Sequence, residues 1–172
     1  SLQEDIPVDS LVASSHGIGL DNVLHYYVLE NTQHEKELGN AFISHAGLEH
    51  QSVVPYTAQG SPELLADCEE GGHQGTAVGW EGLYGPQGRV VRAGLKFPEL
   101  VNRLSGFQFE SHRITNFEME TSAIFGLGKI FGHRCLALNT IVANRISKTF
   151  TKDAAKSVEN MIKKSLEIIS SI

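Results

Sequence analysis

Apolar and polar positions follow two different periods along the chain, and the switches between them mark its elements. "VDSLVASS" (Val8 to Ser15) is a run that reads as a buried strand, with turn residues supplied by the "HGIGLDN" that follows. Residues 22 to 60 are mixed and define no clear element. Ser61-Pro62-Glu63 has the form of an N-cap with proline at the first helical position, so "ELLADCEE" is predicted as a short helix ending in "GGHQG". "GTAVGW" (Gly75 to Trp80) predicts a strand, followed by the loop "EGLYGPQGR". "FPELVNRLSGF" predicts a helix with Gly106 near its end, and "HRITNFEME" a strand. Glu120 to Phe131 form a helical pattern closed by Gly132, and "RCLALNTIVANR" is the longest apolar run, predicted as a central strand. From about Lys152, the steps between Ala155, Val158, Ile162, Leu166 and Ile169 draw one apolar stripe on an amphipathic helix. Strands alternating with helices imply an α/β sheet covered by helices.

A chain of 172 residues suits one domain, residues 1–172, with a sizeable core, and 41% hydrophobic and 20% charged residues is an ordinary globular composition. The net charge of -6, with no run of Lys or Arg, argues against nucleic-acid and membrane-surface partners. No stretch approaches the apolar length of a membrane span. Two cysteines without a CxxC and an acidic start without an apolar run predict reduced thiols and a cytoplasmic protein.

Ligands of α/β sheets gather where strands end and helices begin. Three such ends carry chemistry: "NFEMETSA" with Glu118, Met119 and Glu120, "YGPQGR" with Gln87 and Arg89, and "IVANR" with Val142, Asn144 and Arg145. On the residues alone, the first needs only a helix dipole complemented by Glu120, a gap filled by Met119 and a solvated Glu118, and exposed polar loops account for the others. Other chemistries lack their signatures. There is no Walker or GxGxxG cradle, no GxSxG elbow, and an acidic setting raises the Cys68 thiol. None of the eight histidines falls in a metal-ligand spacing, and His45 and His50 would diverge on a helix, so no metal site is expected.

"NFEMETSA", "LYGPQGR" and "IVANR" stand in the order and spacing found in uridine phosphorylase and its nucleoside phosphorylase relatives, and "DIPVDSLVASS" also resembles that family's strand. The resemblance covers most of the chain and implies a phosphorylase-like mixed sheet flanked by helices. It implies phosphorolysis of uridine or a related pyrimidine nucleoside, with phosphate as co-substrate and no cofactor, in a homo-oligomer of dimers assembling to a hexamer. Glu120 would accept the ribose 2′ and 3′ hydroxyls, Met119 pack on the sugar and Glu118 border ribose and base. Gln87 would match the uracil N–H and carbonyl, and Arg89 stabilise charge on the departing base. Arg145 would support that end of the pocket through water, beside Val142 and Asn144. Purine-cleaving relatives place Ser-Asp where this chain has Asn144-Arg145, and uridine phosphorylases have Phe-Tyr where it has Leu83-Tyr84. The family's N-terminal part, with its glycine-rich turn and phosphate-binding arginines, has no counterpart in the 172 residues, nor do the His and Arg borrowed from a neighbouring subunit. The chain is therefore expected to hold the nucleoside half of a site and to be inactive by itself. Two alternatives remain: a purine phosphorylase or nucleosidase of the same superfamily, and a non-catalytic domain that binds nucleosides or a partner protein.

Overall fold

A computed structural model describes residues 1–49, 53–68 and 72–171. In chain order the elements are β1 (Leu11–Gly19), a 3-10 turn (Val23–Tyr26), α1 (Gln33–Ala46), β2 (Tyr56–Gln59), α2 (Pro62–Ala66) and β3 (His73–Gly79). There follow α3 (Leu100–Ser105), β4 (Gln108–Phe109), β5 (His112–Glu118), α4 (Thr121–Ile130), β6 (Ala137–Thr140), β7 (Ala143–Asn144), β8 (Thr149–Phe150) and α5 (Ala154–Ser171). His50 and the predicted helix tail at Glu69 and Glu70 lie outside the described residues.

The sheet is mixed and flanked by helices. Its order is β2-β1-β3-β5-β4, with β1, β3 and β5 parallel and β2, β4 and β6 antiparallel to their neighbours. β1 is the central strand. Its residues 16 to 19, predicted as a turn, continue the strand beyond a bulge at Ser15, because β3 offers parallel partners up to Gly79. β3 takes one side of β1 along nearly its whole length, so β6 and β2 share the other: β6 pairs Leu11–Ser14 and β2 pairs His16–Gly19. The long apolar run that predicted a central strand thus yields only four sheet residues beside half of β1. Its apolar length is divided among β6, the turn at Ile141 and Val142, and β7.

The main core lies where Ile18, Val78 and Ile114 of the parallel strands meet Leu38 and Phe42 of α1 and Leu104 of α3. Across the sheet, α4 presses its first turn onto β1 and β3, and glycines make room for it. A Cβ on Gly17 would lie 2.7 Å from the Cα of Ser122, and one on Gly79 would lie 2.5 Å from its Oγ. On α5 the predicted stripe does not pack: Val158, Ile162, Leu166 and Ile169 are exposed, and Ser157 and Ile168 are buried instead.

α1, in the region whose sequence pattern was unclear, begins with a capping box. Thr32 accepts from the Glu35 N–H, and Glu35 accepts from the Thr32 N–H at 2.7 Å. The same carboxylate accepts from Gln59 N–H on β2 at 3.0 Å and from Lys129 Nζ on α4 at 2.6 Å. Glu35 is fully buried. Burial alone would raise its carboxyl, but the hydrogen bonds from Lys129, Thr32 and Gln59 outweigh burial and hold it below the ordinary carboxylate range.

This contribution to stability is complete above the unfolded carboxyl pKa and lost as pH falls through the lower folded value. Glu35→Ala is expected to cost about 3 kcal/mol, towards the low end for a broken buried pair because Lys129 can reach water. Glu35→Gln keeps an acceptor, loses less stability, and removes this residue's part of the loss below about pH 4. Urea denaturation at pH 7 and pH 3 checks both, and an unchanged acid limb in Glu35→Gln would disprove the assignment.

Candidate functional site

The parallel strands end on one edge, and there the predicted residues meet. A cavity of about 320 Å³ is lined by Glu118, Met119 and Glu120 at the end of β5, by Leu83, Gln87 and Arg89 of the loop after β3, and by Val142 and Arg145 after β6. A second cavity of about 320 Å³ lies between the start of β1 and α5, and none of the predicted site residues lines it. Volume does not separate the two; the side chains do.

The two acids differ in what they hold. Glu118 Oε2 accepts from the Glu120 N–H at 2.7 Å and the Thr121 N–H at 2.5 Å, closing the exposed amides at the start of α4. Its Oε1 is buried and has no hydrogen-bond partner among the described residues. Glu118 is therefore not the solvated acid that its sequence alone allowed. The Glu120 carboxylate is exposed and, among the described residues, accepts only a long bond, 3.3 Å, from the Met119 N–H. It is free to accept donors from a ligand.

Opposite them, Gly88 sits between Gln87 and Arg89 with φ +73°, in a turn where the Gln87 and Arg89 N–H groups both donate to the Tyr84 carbonyl. A Cβ on Gly88 would stand 2.6 Å from Val101, so conformation and space both call for glycine. The turn aims both side chains inward. Arg89 Nη1 donates to Gln87 Oε1 at 2.9 Å and to the Leu83 carbonyl. Arg145 Nη2 donates to the Gln87 backbone carbonyl at 2.8 Å. Gln87 is thus buried and held from two sides. Burial, and then the Arg89 charge, lower the Arg145 guanidinium below its ordinary value, though it stays charged at neutral pH.

Asn144 requires correction. It is buried, and its NH₂ donates to the carbonyls of Gln3 at 2.7 Å and Ile6 at 2.9 Å. Its Oδ1 accepts from the N–H groups of Ile146 and Ser147. All its hydrogen-bonding groups are engaged in pinning the first residues of the chain to the turn after β7, and Val142 and Ala143 line the cavity instead. One register step accounts for the difference. The lining also includes Asn116, the first residue of "NFEMETSA", and Asn139 and Thr140, which precede "IVANR", none of them singled out from the sequence. Among the described residues no histidine or cysteine lines the cavity; three histidines, His16, His34 and His112, meet elsewhere in the fold.

No protein-family model matches the chain. It is 29% identical over 98 residues to a uridine phosphorylase of Thermococcus kodakarensis, a match spanning 57% of this chain and 35% of that protein. The structure of a Trypanosoma brucei nucleoside phosphorylase, described as showing uridine phosphorylase activity, superposes with a TM-score of 0.87 at 27% identity over 100% of this chain and 61% of that one. A futalosine hydrolase mutant of Helicobacter pylori shares the fold at 14% identity and a TM-score of 0.53, over 99% of this chain and 61% of that one. The chain therefore spans less than two thirds of the length of these relatives. It has the fold of the nucleoside phosphorylase superfamily, and its sequence resembles the uridine phosphorylases within it.

Proposed function

We propose that the chain carries the nucleoside-binding half of a pyrimidine nucleoside phosphorylase. The reaction is the reversible phosphorolysis of uridine or a related nucleoside to free base and ribose 1-phosphate. The observation that carries this reading is the convergence on one cavity of an acidic corner, Glu118 to Glu120, and a cationic, amide-bearing wall, Gln87, Arg89 and Arg145. That polarity suits the chemistry. The glycosidic bond breaks through an oxocarbenium-like sugar while negative charge moves onto the base, so an anionic sugar end and a cationic base end both favour the transition state over the substrate.

In this reading Glu120 takes the vicinal ribose hydroxyls, Met119 packs on the sugar, and the unpartnered Oε1 of Glu118 borders ribose and base. Gln87 reads the uracil edge, with Arg89 taking up charge on its carbonyls and Arg145 fixing Gln87. Phosphate, the nucleophile, is held by residues from the part of the relatives' length that this chain does not span, together with a neighbouring subunit of a homo-oligomer. The setting is cytoplasmic, and no cofactor takes part. The preference for pyrimidines is supported by Val142 and Ala143, which line the cavity where Asn144 does not. Neither side chain can give a proton, whereas departing uracil needs none.

Two outcomes follow. Glu120→Ala is expected to weaken uridine and inosine binding to the chain alike, by about 1–3 kcal/mol, while Gln87→Ala falls mainly on uridine. Ligand-observed NMR or calorimetry measures both, and a changed base preference in Glu120→Ala with undiminished affinity would overturn its role.

In an assembly that contains the chain and binds phosphate, kcat/KM for uridine is expected to exceed that for inosine at neutral pH and to require phosphate. An inosine value equal to or above that of uridine rejects the pyrimidine reading. Cleavage at full rate without phosphate would make the protein a hydrolase.

A further inference from the structure

Three of the eight histidines meet inside the fold, far from the nucleoside cavity. His16 lies on β1, His34 in the first turn of α1, and His112 opens β5. One ring nitrogen from each lies within 4.8 Å of those of the other two. His34 Nε2 and His112 Nε2 are 2.8 Å apart, and the His16 and His112 ring centroids are 4.5 Å apart. His16 and His112 are buried, at 5% and 8% exposure.

The outer nitrogens share one pattern. His112 Nδ1 is 3.3 Å from the Thr76 hydroxyl, His16 Nδ1 is 3.3 Å from the Ser15 hydroxyl, and His34 Nδ1 is 3.7 Å from the Glu110 carboxylate. An oxygen thus stands beside each Nδ1, the arrangement in which metal-ligating imidazoles turn Nε2 to the metal. A hydrogen-bonded histidine pair explains less. It places a proton between His34 and His112 but does nothing for His16 Nε2, which is buried with no hydrogen-bond partner among the described residues. A buried nitrogen without a partner destabilises the fold.

We infer that His16, His34 and His112 form a tri-histidine site for a divalent first-row transition cation, which ties α1 and β5 to β1. Zinc–imidazole bonds of about 2.0–2.1 Å put tetrahedral ligand nitrogens ~3.3 Å apart, between the 2.8 Å pair and the 4.8 Å limit seen here, so small side-chain rotations suffice. An all-imidazole set favours zinc, nickel or copper over calcium or magnesium. The role is structural. Glu118 lies six residues beyond His112 on β5, ~20 Å along the strand, so the cation cannot touch the nucleoside.

The test uses the purified chain, freed of metal with a chelator and titrated with Zn²⁺ by calorimetry and with Co²⁺ by visible absorption. One cation per chain is expected, with the intense absorption of tetrahedral Co²⁺ and a rise in Tm on adding Zn²⁺. His34→Ala, a partly exposed position, and His112→Ala are each expected to weaken Zn²⁺ binding at least tenfold, and His25→Ala, an exposed histidine outside the cluster, to leave it unchanged. Near-UV circular dichroism establishes that the variants fold. Folded His34→Ala binding Zn²⁺ as tightly as the parent, or a parent that binds none, overturns the site. Uridine binding is unaffected by either result.

Discussion

One buried carboxylate holds together the parts on which the candidate cavity rests. Glu35 belongs to the capping box of α1, yet it also takes an N–H from β2 and the ammonium of Lys129 from α4. A charge removed this completely from water is tolerable only when both its oxygens are hydrogen-bonded and a cation is paired with it, so α1, β2 and α4 can close over it in one relative arrangement. The position of α4 is fixed in this way at its far end, by Lys129, and at its near end by the glycines of β1 and β3 that admit Ser122. Between those fixed points the first turn of the helix faces the strand edge where the cavity lies. The strand-to-helix corner is rigid because both ends of the helix are held.

That rigidity gives the acid pair of "EMET" a division of labour. The helix start leaves N–H groups to be satisfied, and Glu118 takes two of them with one oxygen, Oε2. Capping therefore leaves Glu120 unneeded by the fold, and an acid that the fold does not need is available to a ligand. The second oxygen of Glu118 is buried without a partner among the described residues, a state that a hydroxyl or N–H of a bound molecule would relieve. The loop across the cavity has a matching economy. Arg89 and Arg145 both bind Gln87, so the residue proposed to read the base is positioned by the same groups proposed to receive its charge.

The sequence displayed this corner clearly because its determinants are local. N-cap residues, a proline at a helix start and a glycine at a helix end lie within a few positions of what they control, and α2, α3 and α4 fall where those signals put them. The Thr32–Glu35 capping box was equally local, but it stood in a mixed stretch with a weak apolar face and went unread. What the sequence could not display depends on distant pairing. The run 134–145 has the apolarity of a central strand, but partners, not apolarity, decide a strand's place, and β1 offered it only four positions. Asn144 was off by one register step, which only the turn to β7 fixes. The stripe on α5 has helical spacing, yet Ser157 and Ile168, not the stripe, face the sheet. The histidine cluster joins residues 18 and 78 positions apart, so no spacing rule could have revealed it.

A fold shared with a hydrolase at 14% identity says little about which bond is cut or which base leaves. The acidic corner is part of the scaffold, since its cap completes α4 whatever the ligand. The side chains that the fold does not need lie in the loop after β3, where Leu83, Tyr84, Val90 and Val91 are exposed. The loop reaches the core through Val101, which crowds Gly88, and through the Arg145 bond to the Gln87 carbonyl. A change on that loop can alter the base end without disturbing Glu35, α4 or the acids. Such separation divides the cavity wall in two: the acids belong to the part that folding fixes, and the loop after β3 to the part that folding leaves free to vary.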